Sequence, residues 1–362
     1  MNREIPIKNQ TFSIKVISWF HENKRDLPWR HTKDPYAIWL SEIILQQTRV
    51  AQGLPYYYRF LEKLPTVHDF ANASQEEILR LWQGLGYYSR ARNMHATAKL
   101  VVKKYEGKFP DSYNELIKLK GIGPYTGAAI ASFAFDEAVP VVDGNVFRVL
   151  SRVFGIETDI ASSPARKEFT ELAQSLIPEN TPADFNQAIM EFGALQCTPQ
   201  KPNCMFCPLQ MECYAFQHEA QIQLPVKLKK TKVRNRYFNY FAIQKGEEFV
   251  MNKRPENDIW SGLYDFYLVE TEKEGTTLDD IQDDFISELL ISGEINQLVE
   301  SKKHILSHQW IFATFWKIDL KNVENVTFPS SSKTDYKFFS LDEIEALPKS
   351  TLTATFFKNM VV

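Results

Sequence analysis

The sequence predicts a multidomain protein in which an all-helical region is followed by a smaller α/β domain. The 362 residues exceed what a single hydrophobic core usually holds. Up to residue 221 apolar side chains recur at helical spacing, whereas from residue 237 onward short aromatic and β-branched runs are typical of strands. A basic, helix-poor stretch at 222–236 separates the two patterns and is predicted to be a linker between domains 1–221 and 237–362.

The predicted elements follow from capping residues and periodicity. Helices begin near signals such as Asp34-Pro35 and Ser74 and carry apolar residues at intervals of three and four. The helices predicted in the first region are 11–24, one beginning at 35, 54–64, 75–83, 90–105, 111–119, 126–135, 146–154, 165–176 and 185–195. In the second region, strands are predicted at 237–243, 248–253, 264–269, 298–305 and 310–318, and helices at 278–290 and 341–346.

Composition and charge are those of a soluble chain with two unlike halves. Apolar residues make up 44% of the sequence, no apolar run reaches membrane-spanning length, and the start lacks a signal-peptide core. We therefore expect a cytoplasmic protein without a membrane partner, and a monomer. The net charge of −3 divides into +6 for residues 1–236 and −9 for residues 237–362. Seven basic residues between Arg80 and Lys108 form either a phosphate-binding patch or an ordinary solvated helix face.

A glycine-rich turn at 119–131 lies between two predicted helices. Gly121 and Gly123 permit a tight turn and a close approach of the backbone. Thr126 is predicted to cap the following helix, whose free N–H groups form a phosphate site. Such a hairpin holds a nucleic-acid backbone without reading bases. The structural alternative is an ordinary connection between helices.

Two acidic residues stand in apolar surroundings. Glu42 lies among apolar positions of the helix that begins at residue 35, and burying an unpaired carboxylate is costly. Either it pairs with an arginine such as Arg30 or Arg49, or burial raises its pKa so that it carries a proton near neutral pH. Asp143 follows an apolar run in a Val-Asp-Gly-Asn loop.

A second glycine-punctuated turn, at 84–88, lies beside the basic stretch. Leu85 and Tyr87, if exposed there, are suited to wedging between base pairs. The alternative is that these apolar side chains belong to the core.

All four cysteines of the chain cluster near the end of the helical region. Cys197, Cys204, Cys207 and Cys213 have the spacing C-x6-C-x2-C-x5-C, which in a cytoplasmic protein favours a metal site over disulfides. Zinc is the physical competitor, because four thiolates also suit tetrahedral zinc, although zinc sites usually contain two close pairs.

Together these patterns resemble a known family. The hairpin, Asp143 and the cysteine loop are similar to the helix-hairpin-helix DNA glycosylases, and the cysteine spacing resembles the [4Fe–4S] loop of their endonuclease III branch. The motif Trp-Leu-Ser-Glu-Ile-Ile-Leu-Gln-Gln-Thr at 39–48, with Tyr125 and Asp143-Gly144-Asn145, resembles the MutY-type adenine DNA glycosylases, and the second region resembles the Nudix-like domain that ends that family. The resemblance implies a base excision repair enzyme with a [4Fe–4S] cluster. Its substrate would be duplex DNA in which adenine pairs with 8-oxoguanine or guanine, and its product an abasic site.

The resemblance also implies roles for individual residues. Glu42 is the general acid that protonates adenine N7, Asp143 stabilises or attacks the sugar cation, and Tyr125 assists at that centre. Bifunctional relatives carry a nucleophilic lysine at the Tyr125 position, so hydrolysis without strand cleavage is expected. The other implied contacts are substrate contacts at Arg25, Trp29, Asn145 and Glu191, contacts near the orphaned guanine at Gln47, Thr48, Leu85 and Tyr87, 8-oxoguanine contacts at Ser307 and His308, and DNA backbone contacts at Lys120, Gly121, Gly123 and Thr126.

Three positions depart from the family pattern. Leu306 stands where phenylalanine is frequent, Lys120 replaces a frequent proline, and Phe147 replaces a lysine tied to side lyase activity, which should be weak here. After Gly262 the sequence predicts a strand instead of a magnesium-binding Nudix helix, so pyrophosphatase chemistry is not expected.

Other functions remain open at this point. An oxidised-pyrimidine or thymine-mismatch glycosylase on the same scaffold is the enzymatic alternative, and a non-catalytic DNA-lesion sensor is the alternative of another class. Repair or replication proteins are further candidate partners, at the linker.

Overall fold

A computed structural model of the chain describes residues 6–228, 233–256, 258–273, 277–278, 281–292, 294–320, 326–329 and 335–361, with backbone alone at 6–10, 291–292, 294–301 and 361. The chain divides into two compact units. The first consists of Met1–Asn72 and Ala96–Lys229, and the second of Ala73–His95 and Lys230–Val362. The second unit thus includes a short segment from the middle of the helical region.

Helices account for most of the chain before the linker. Their bounds are α1 Pro6–Asn23, α2 Pro35–Ile44, α3 Val50–Lys63, α4 Val67–Asn72, α5 Gln75–Leu81, α6 Ser89–Tyr105, α7 Tyr113–Leu116, α8 Pro124–Phe135, α9 Gly144–Phe154, α10 Ser163–Leu176, α11 Pro182–Leu195 and α12 Tyr214–Gln217. The helix start predicted at Asp34-Pro35 and the cap predicted at Ser74 are confirmed: Asp34 accepts a hydrogen bond from the Tyr36 backbone at the start of α2, and Ser74 accepts one from the Glu77 backbone at the start of α5.

The core of the first unit lies between α1, α9, α10 and α11. Val16, Val149, Phe169 and Phe192 come from these four helices and are almost completely buried. Their apolar faces recur at three- and four-residue intervals, as the sequence predicted. Beside this core, α2 packs against α8, and both helices are buried over most of their length. This pairing brings the end of the hairpin to the helix that carries Glu42.

The first helix of the hairpin is much shorter than the predicted 111–119. The helix α7 spans only Tyr113–Leu116, and the chain continues in turns in which Leu119 bonds back to Leu116 and Ile122 to Leu119. Gly121 has a φ of +79°, a conformation that residues with a side chain rarely adopt. The apolar positions at 116, 119 and 122 are buried at three-residue spacing without a continuous helix.

The second unit is built on a mixed sheet. Within the described residues the strands are β1 Arg234–Lys245, β2 Glu248–Lys253, β3 Tyr264–Asp265, β4 Tyr267–Thr271, β5 Glu294–Ile305, β6 Gln309–Asp319 and β7 Tyr336–Ser340. The order is β3-β2-β1-β6-β5, with β4 paired to β1 and β7 to β2. Only the pairing of β1 with β6 is parallel among these.

Helices cover both faces of this sheet. The helix α13, Asp284–Ser292, packs its Phe285 and Ile286 against Trp316 on one face. On the other face, α14 (Leu341–Ala346) and α15 (Thr351–Val361) pack against side chains that include Phe238. Alternate residues of β1 and β6 therefore belong to different cores, as period-two alternation requires.

The predicted α/β character of the second unit is confirmed, with differences in detail. The strand predicted after Gly262 is present as β3 and β4, and the helix predicted at 278–290 begins only at Asp284, with residues 279–280 outside the described ones. Among the described helices, none is long and apolar enough to cross a membrane.

The crossing of α9 and α11 yields a prediction about stability. A Cβ at Gly193 would lie 2.6 Å from Asn145 Cβ and 3.0 Å from the Asn145 carbonyl oxygen, so Gly193→Ala forces the two helices apart. We expect a loss of about 1–3 kcal/mol in the free energy of unfolding, measured by urea denaturation. Gly144→Ala is the matched control, because nothing lies within 4 Å of its added Cβ. Equal unfolding free energies for the two variants would contradict the close approach.

Candidate active site

The buried carboxyl group of Glu42 is the centre of the site. It lies on α2 with 6% of its surface exposed, between the buried side chains of Ile38 and Ile43. The Tyr125 hydroxyl, from the first turn of α8, donates a hydrogen bond of 2.7 Å to Glu42 Oε2. Burial raises the pKa of Glu42 to about 7, although the Tyr125 hydrogen bond opposes the rise. The hydroxyl pKa of Tyr125 is raised well above its usual range, because it is buried beside Glu42 and Asp143.

Asp143 is the N-cap of α9. Its Oδ1 accepts hydrogen bonds of 2.8 Å from the backbone N–H groups of Asn145 and Val146, and its Oδ2 accepts one of 2.8 Å from the Asn145 amide. Burial nevertheless raises the pKa of Asp143 above its ordinary value. The charge of Asp143 in turn contributes to the raised pKa of Glu42.

Two arginines hold a third carboxylate. Glu191 accepts hydrogen bonds from Arg25 at 2.5 and 2.8 Å and from Arg30 at 2.9 and 3.1 Å. Burial by itself would raise the pKa of Glu191, but these hydrogen bonds lower it to about 2. Since Arg30 donates to Glu191, and no arginine in the described residues donates to Glu42, the pairing of Glu42 with Arg30 or Arg49 is wrong.

One cavity of about 610 Å³ brings most of the predicted residues together. Such a volume is typical of small-molecule sites. Trp29 lies at its wall, with its ring edge-on to Tyr57 at 5.3 Å between centroids. Of the predicted residues, those lining this cavity are Arg25, Trp29, Glu42, Thr48, Tyr125, Asp143, Asn145 and Glu191.

The hairpin differs from the prediction in its capping residue. The N-cap of α8 is Gly123 and the first helical residue is Pro124, so Thr126 is the third helical residue. Thr126 is buried, and its hydroxyl accepts a hydrogen bond of 3.1 Å from Gln46 Nε2. The prediction that Thr126 caps the helix is therefore wrong, because proline at the first position displaces the cap by three residues. Lys120, Gly121 and Gly123 are exposed.

The residues predicted to enter the DNA helix have unusual backbones. Gln47, in the first unit, has a φ of +59°, and Tyr87, in the second, has a φ of +48°. Residues with side chains occupy this region at a cost and cluster at functional sites. Tyr87 is 41% exposed, as expected, but Leu85 is 6% exposed. The expectation that Leu85 is presented at the surface is wrong, since the alternative reading as a core residue applies to it.

In the second unit, Ser307 and His308 form the turn between β5 and β6. Both are exposed, and the Ser307 hydroxyl lies 3.1 Å from His308 Nδ1. Leu306, just before them, packs against the sheet core that includes Phe238. The loop thus offers polar groups to solvent, whereas Leu306 points toward the core.

The four cysteines lie in the loop after α11, and none of them forms a disulfide. Cys197, Cys207 and Cys213 pack against the core of the first unit. Burial, together with the charges of the other three cysteines, raises the pKa of Cys207 to about 12. The thiols are therefore close enough to one another to interact electrostatically.

Two arginines of α9, which the sequence did not single out, connect this loop to the site. Arg152 is 2% exposed and donates to Cys197 Sγ at 3.4 Å and to the Thr198 carbonyl at 2.7 Å. Arg148 donates to the Cys197 carbonyl at 2.8 Å and to Asn145 Oδ1 at 2.7 Å. The only sequence signal for them is a basic residue on each of two successive turns of one helix.

Comparison with known proteins agrees with this architecture. Residues 40–178 match the model of the HhH-GPD superfamily of base excision DNA repair proteins, and residues 239–359 match the NUDIX domain. The chain is 36% identical to the adenine DNA glycosylase of Buchnera aphidicola from Schizaphis graminum, over 72% of this chain and 76% of the relative. It is 40% identical to the adenine DNA glycosylase of Arabidopsis thaliana, over 74% of this chain but only 49% of that relative's length.

Solved structures resemble more than half of the chain. A thermostable thymine-DNA glycosylase is 31% identical, with a TM-score of 0.55, over 58% of this chain and 97% of that one. An endonuclease III trapped as a covalent intermediate with DNA is 25% identical, with a TM-score of 0.52, over 60% and 99% of the two chains. With two family models in succession and a relative matched over three quarters of its length, this chain belongs to the family of MutY-type adenine DNA glycosylases.

Proposed function

We propose that the protein hydrolyses the bond between adenine and deoxyribose in duplex DNA when adenine is paired with 8-oxoguanine or guanine. The observation that carries this proposal is a carboxyl group with a pKa of about 7, Glu42, lining the same cavity as the half-buried Asp143. An acid poised near neutral pH beside a second carboxylate is the arrangement that glycosidic bond cleavage requires. The names of the relatives supply the base, adenine.

The reaction follows from the two carboxyl groups. The base is first flipped into the cavity. Because undamaged adenine is a poor leaving group, Glu42 then protonates it at N7. The electrons of the N9–C1′ bond then pass to the base, and the carboxylate of Asp143 stabilises the positive charge left on the sugar. Water adds at C1′ and loses a proton to a carboxylate. At the wall of the same cavity, the Glu191 carboxylate offers acceptors, and Arg25 and Arg30, which donate to it, offer donors to the edge of the base.

Hydrolysis leaves the DNA backbone intact in this proposal. A lyase needs an amine to form a Schiff base, and the residue beside the hairpin is Tyr125, whose hydroxyl is bonded to Glu42. Phe147 supplies no amine either. We therefore propose that the product is an intact DNA strand with an abasic site.

Duplex DNA is the proposed partner, and the two regions have different tasks. The exposed hairpin residues Lys120, Gly121 and Gly123 meet the backbone, and Gln47 and Tyr87 enter the helix near the partner base. The loop of Ser307 and His308 offers hydrogen-bonding groups to 8-oxoguanine. In this division, region 1–221 cleaves, region 237–362 reads the lesion, and 222–236 links them.

We also propose that the cysteine loop holds a [4Fe–4S] cluster. Four thiols that interact electrostatically, packed beside the buried cation Arg152, suit a cofactor bound by thiolates. In the described part of the chain, no three cysteine, histidine or acidic side chains are placed to hold a single metal ion. Zinc is the competing metal, because four thiolates also suit tetrahedral zinc. When bound, the cluster would fix the loop that Arg148 and Arg152 contact.

The decisive experiment removes each carboxyl charge without disturbing the fold. Glu42→Gln keeps the shape but cannot deliver a proton, and Asp143→Asn keeps the helix cap but loses the charge facing the sugar cation. We expect single-turnover release of adenine from an A:8-oxoguanine duplex to fall by at least about a hundredfold in each variant, with duplex binding retained. Asp34→Asn is the matched control, because Asp34 also caps a helix of the first unit but does not line the cavity.

A rate close to wild type in either variant would contradict the assigned role of that residue. Duplexes containing T:G pairs or oxidised pyrimidines, tested in parallel, separate the adenine enzyme from the alternative glycosylases. Binding without any base release by the wild-type chain would identify a lesion sensor instead.

The loop at 307–308 generates a prediction about selectivity. Changing Ser307→Ala and His308→Ala together removes the proposed hydrogen-bonded contact to the lesion base, and a good contact of this kind contributes about 1–3 kcal/mol of discrimination. We expect the preference for A:8-oxoguanine over A:G to fall by roughly ten- to a hundredfold, while cleavage of A:G, the internal control, changes little. The measurement is single-turnover cleavage of both duplexes at one salt concentration. A preference equal to that of wild type would place lesion reading elsewhere.

The cluster proposal is tested by metal analysis. Protein purified without metal stripping should contain about four iron atoms and four sulfides per chain and absorb broadly in the visible range. Cys207→Ala should lower both the iron content and the yield of soluble protein, because losing a ligand unfolds a loop held by metal. Zinc without iron would contradict the assignment.

A further inference from the structure

A second cavity, of about 690 Å³, lies in the first unit next to the active-site cavity. Tyr125 lines both cavities and so forms part of the wall between them. The lining is of two kinds. Val139, Pro140, Val142 and Phe147 are apolar, whereas Gln47, Thr126, Arg166 and Thr170 are polar or charged. A ligand with both apolar and anionic parts matches this lining.

The polar side of the cavity is held by hydrogen bonds. Gln174 donates to the Ala138 carbonyl at 3.0 Å, and Gln46 donates to the Thr126 hydroxyl at 3.1 Å. Arg166, Thr170 and Gln174 are four residues apart on α10, so they lie on one face of that helix. This face borders the cavity, and the hairpin residues Gly123 and Thr126 line it as well.

Arg166 is the cation of this lining. It is exposed, and within the described residues no acidic side chain forms an ion pair with it. Its neighbour Lys167 is equally exposed but pairs with Glu171 on α10 at 3.8 Å and does not line the cavity. Of the two adjacent cations on α10, only Arg166 lines the cavity, whereas Lys167 is paired with an acidic side chain.

We propose that this second cavity binds the sugar–phosphate backbone of the strand that carries the target adenine, next to the flipped nucleotide, with Arg166 contacting a phosphate. The inference rests on the proposed function, because a base in the first cavity requires its strand to continue past Tyr125. Deoxyribose presents apolar faces to Val142 and Phe147, and the adjoining phosphate presents the charge that Arg166 complements. The contact lies on α10 and is thus separate from the hairpin. A free purine, by contrast, lacks an anionic group for Arg166.

The test compares the two neighbouring cations in full-length chain carrying Glu42→Gln, which leaves the DNA uncut. Affinity for an A:8-oxoguanine duplex is measured over a series of salt concentrations. We expect Arg166→Ala to weaken binding by about tenfold and to reduce the slope of log K against log salt by about 1. Arg166→Lys should recover most of the affinity, because the charge is restored. Lys167→Ala should have the affinity and salt slope of the parent, the chain that carries Glu42→Gln alone, since the exposed ion pair of Lys167 contributes little.

A second measurement locates the phosphate. Linkages on either side of the adenine are replaced one at a time by uncharged methylphosphonates. One replacement should weaken binding of the parent by about tenfold yet leave Arg166→Ala unaffected, which is the signature of a direct pair in a double-mutant cycle. Equal losses for both proteins at every linkage would overturn the proposal.

Two further outcomes would also overturn it. Arg166→Ala and Lys167→Ala could give the same affinity and salt slope, which would leave only a general effect of charge. Free adenine could bind the parent but not Arg166→Ala, with DNA affinity unchanged, which would assign the cavity to the released base. Failure of the proposed function can be distinguished from failure of this proposal. In the first case the chain with an intact Glu42 would release no adenine, while the salt slopes would still report the backbone contact.

Discussion

The rest of the site depends on the burial of one carboxyl group, that of Glu42. A pKa of about 7 for Glu42, against an ordinary 4.5, means that the folded chain holds this proton more tightly than the unfolded chain. The contribution of this proton to the free energy of unfolding is therefore fully present below about pH 4.5 and is lost as pH rises to about 7. At higher pH the folded chain is less stable by about 3 kcal/mol. The apolar residues of α2 impose this cost, and the Tyr125 hydroxyl limits it by stabilising the charged form.

In the same cavity, the pKa of a second carboxyl group, that of Glu191, is shifted in the opposite direction. Glu191 is equally well buried but has a pKa of about 2, because Arg25 and Arg30 surround it with donors. Two acids in one cavity with pKa values so far apart can have different tasks, one as a proton donor and the other as a fixed anion. Asp143 lies between these cases, since three N–H donors support its charge and its raised pKa shows that burial still dominates. Arg148 extends this support to the cysteine loop through Asn145 and the Cys197 carbonyl.

Features set by local rules could be predicted from the sequence, and features set by distant contacts could not. The helix start at Asp34-Pro35, the cap at Ser74, the helices and most strands follow from residue type and periodicity. The prediction for the hairpin is wrong at Thr126 because Pro124 fixes the helix start, and at 111–119 because the turn at Gly121 shortens the helix before it. Leu85 is buried although its glycine neighbours indicated a turn at the surface. The partner of Arg30 could not be predicted, because Glu191 lies 161 residues away and any buried acid would serve as well.

Titration of Glu42 shows whether its carboxyl group holds a proton at neutral pH in the folded chain. Infrared difference spectra of the DNA-free protein, wild type minus Glu42→Gln, isolate the carboxyl stretch of this residue as pH is varied. We expect a protonated carboxyl band with a midpoint near pH 7. We expect a higher midpoint in Tyr125→Phe, because the hydrogen bond that favours the carboxylate is removed. A midpoint near the ordinary value of 4.5, or one that Tyr125→Phe lowers, would contradict these expectations.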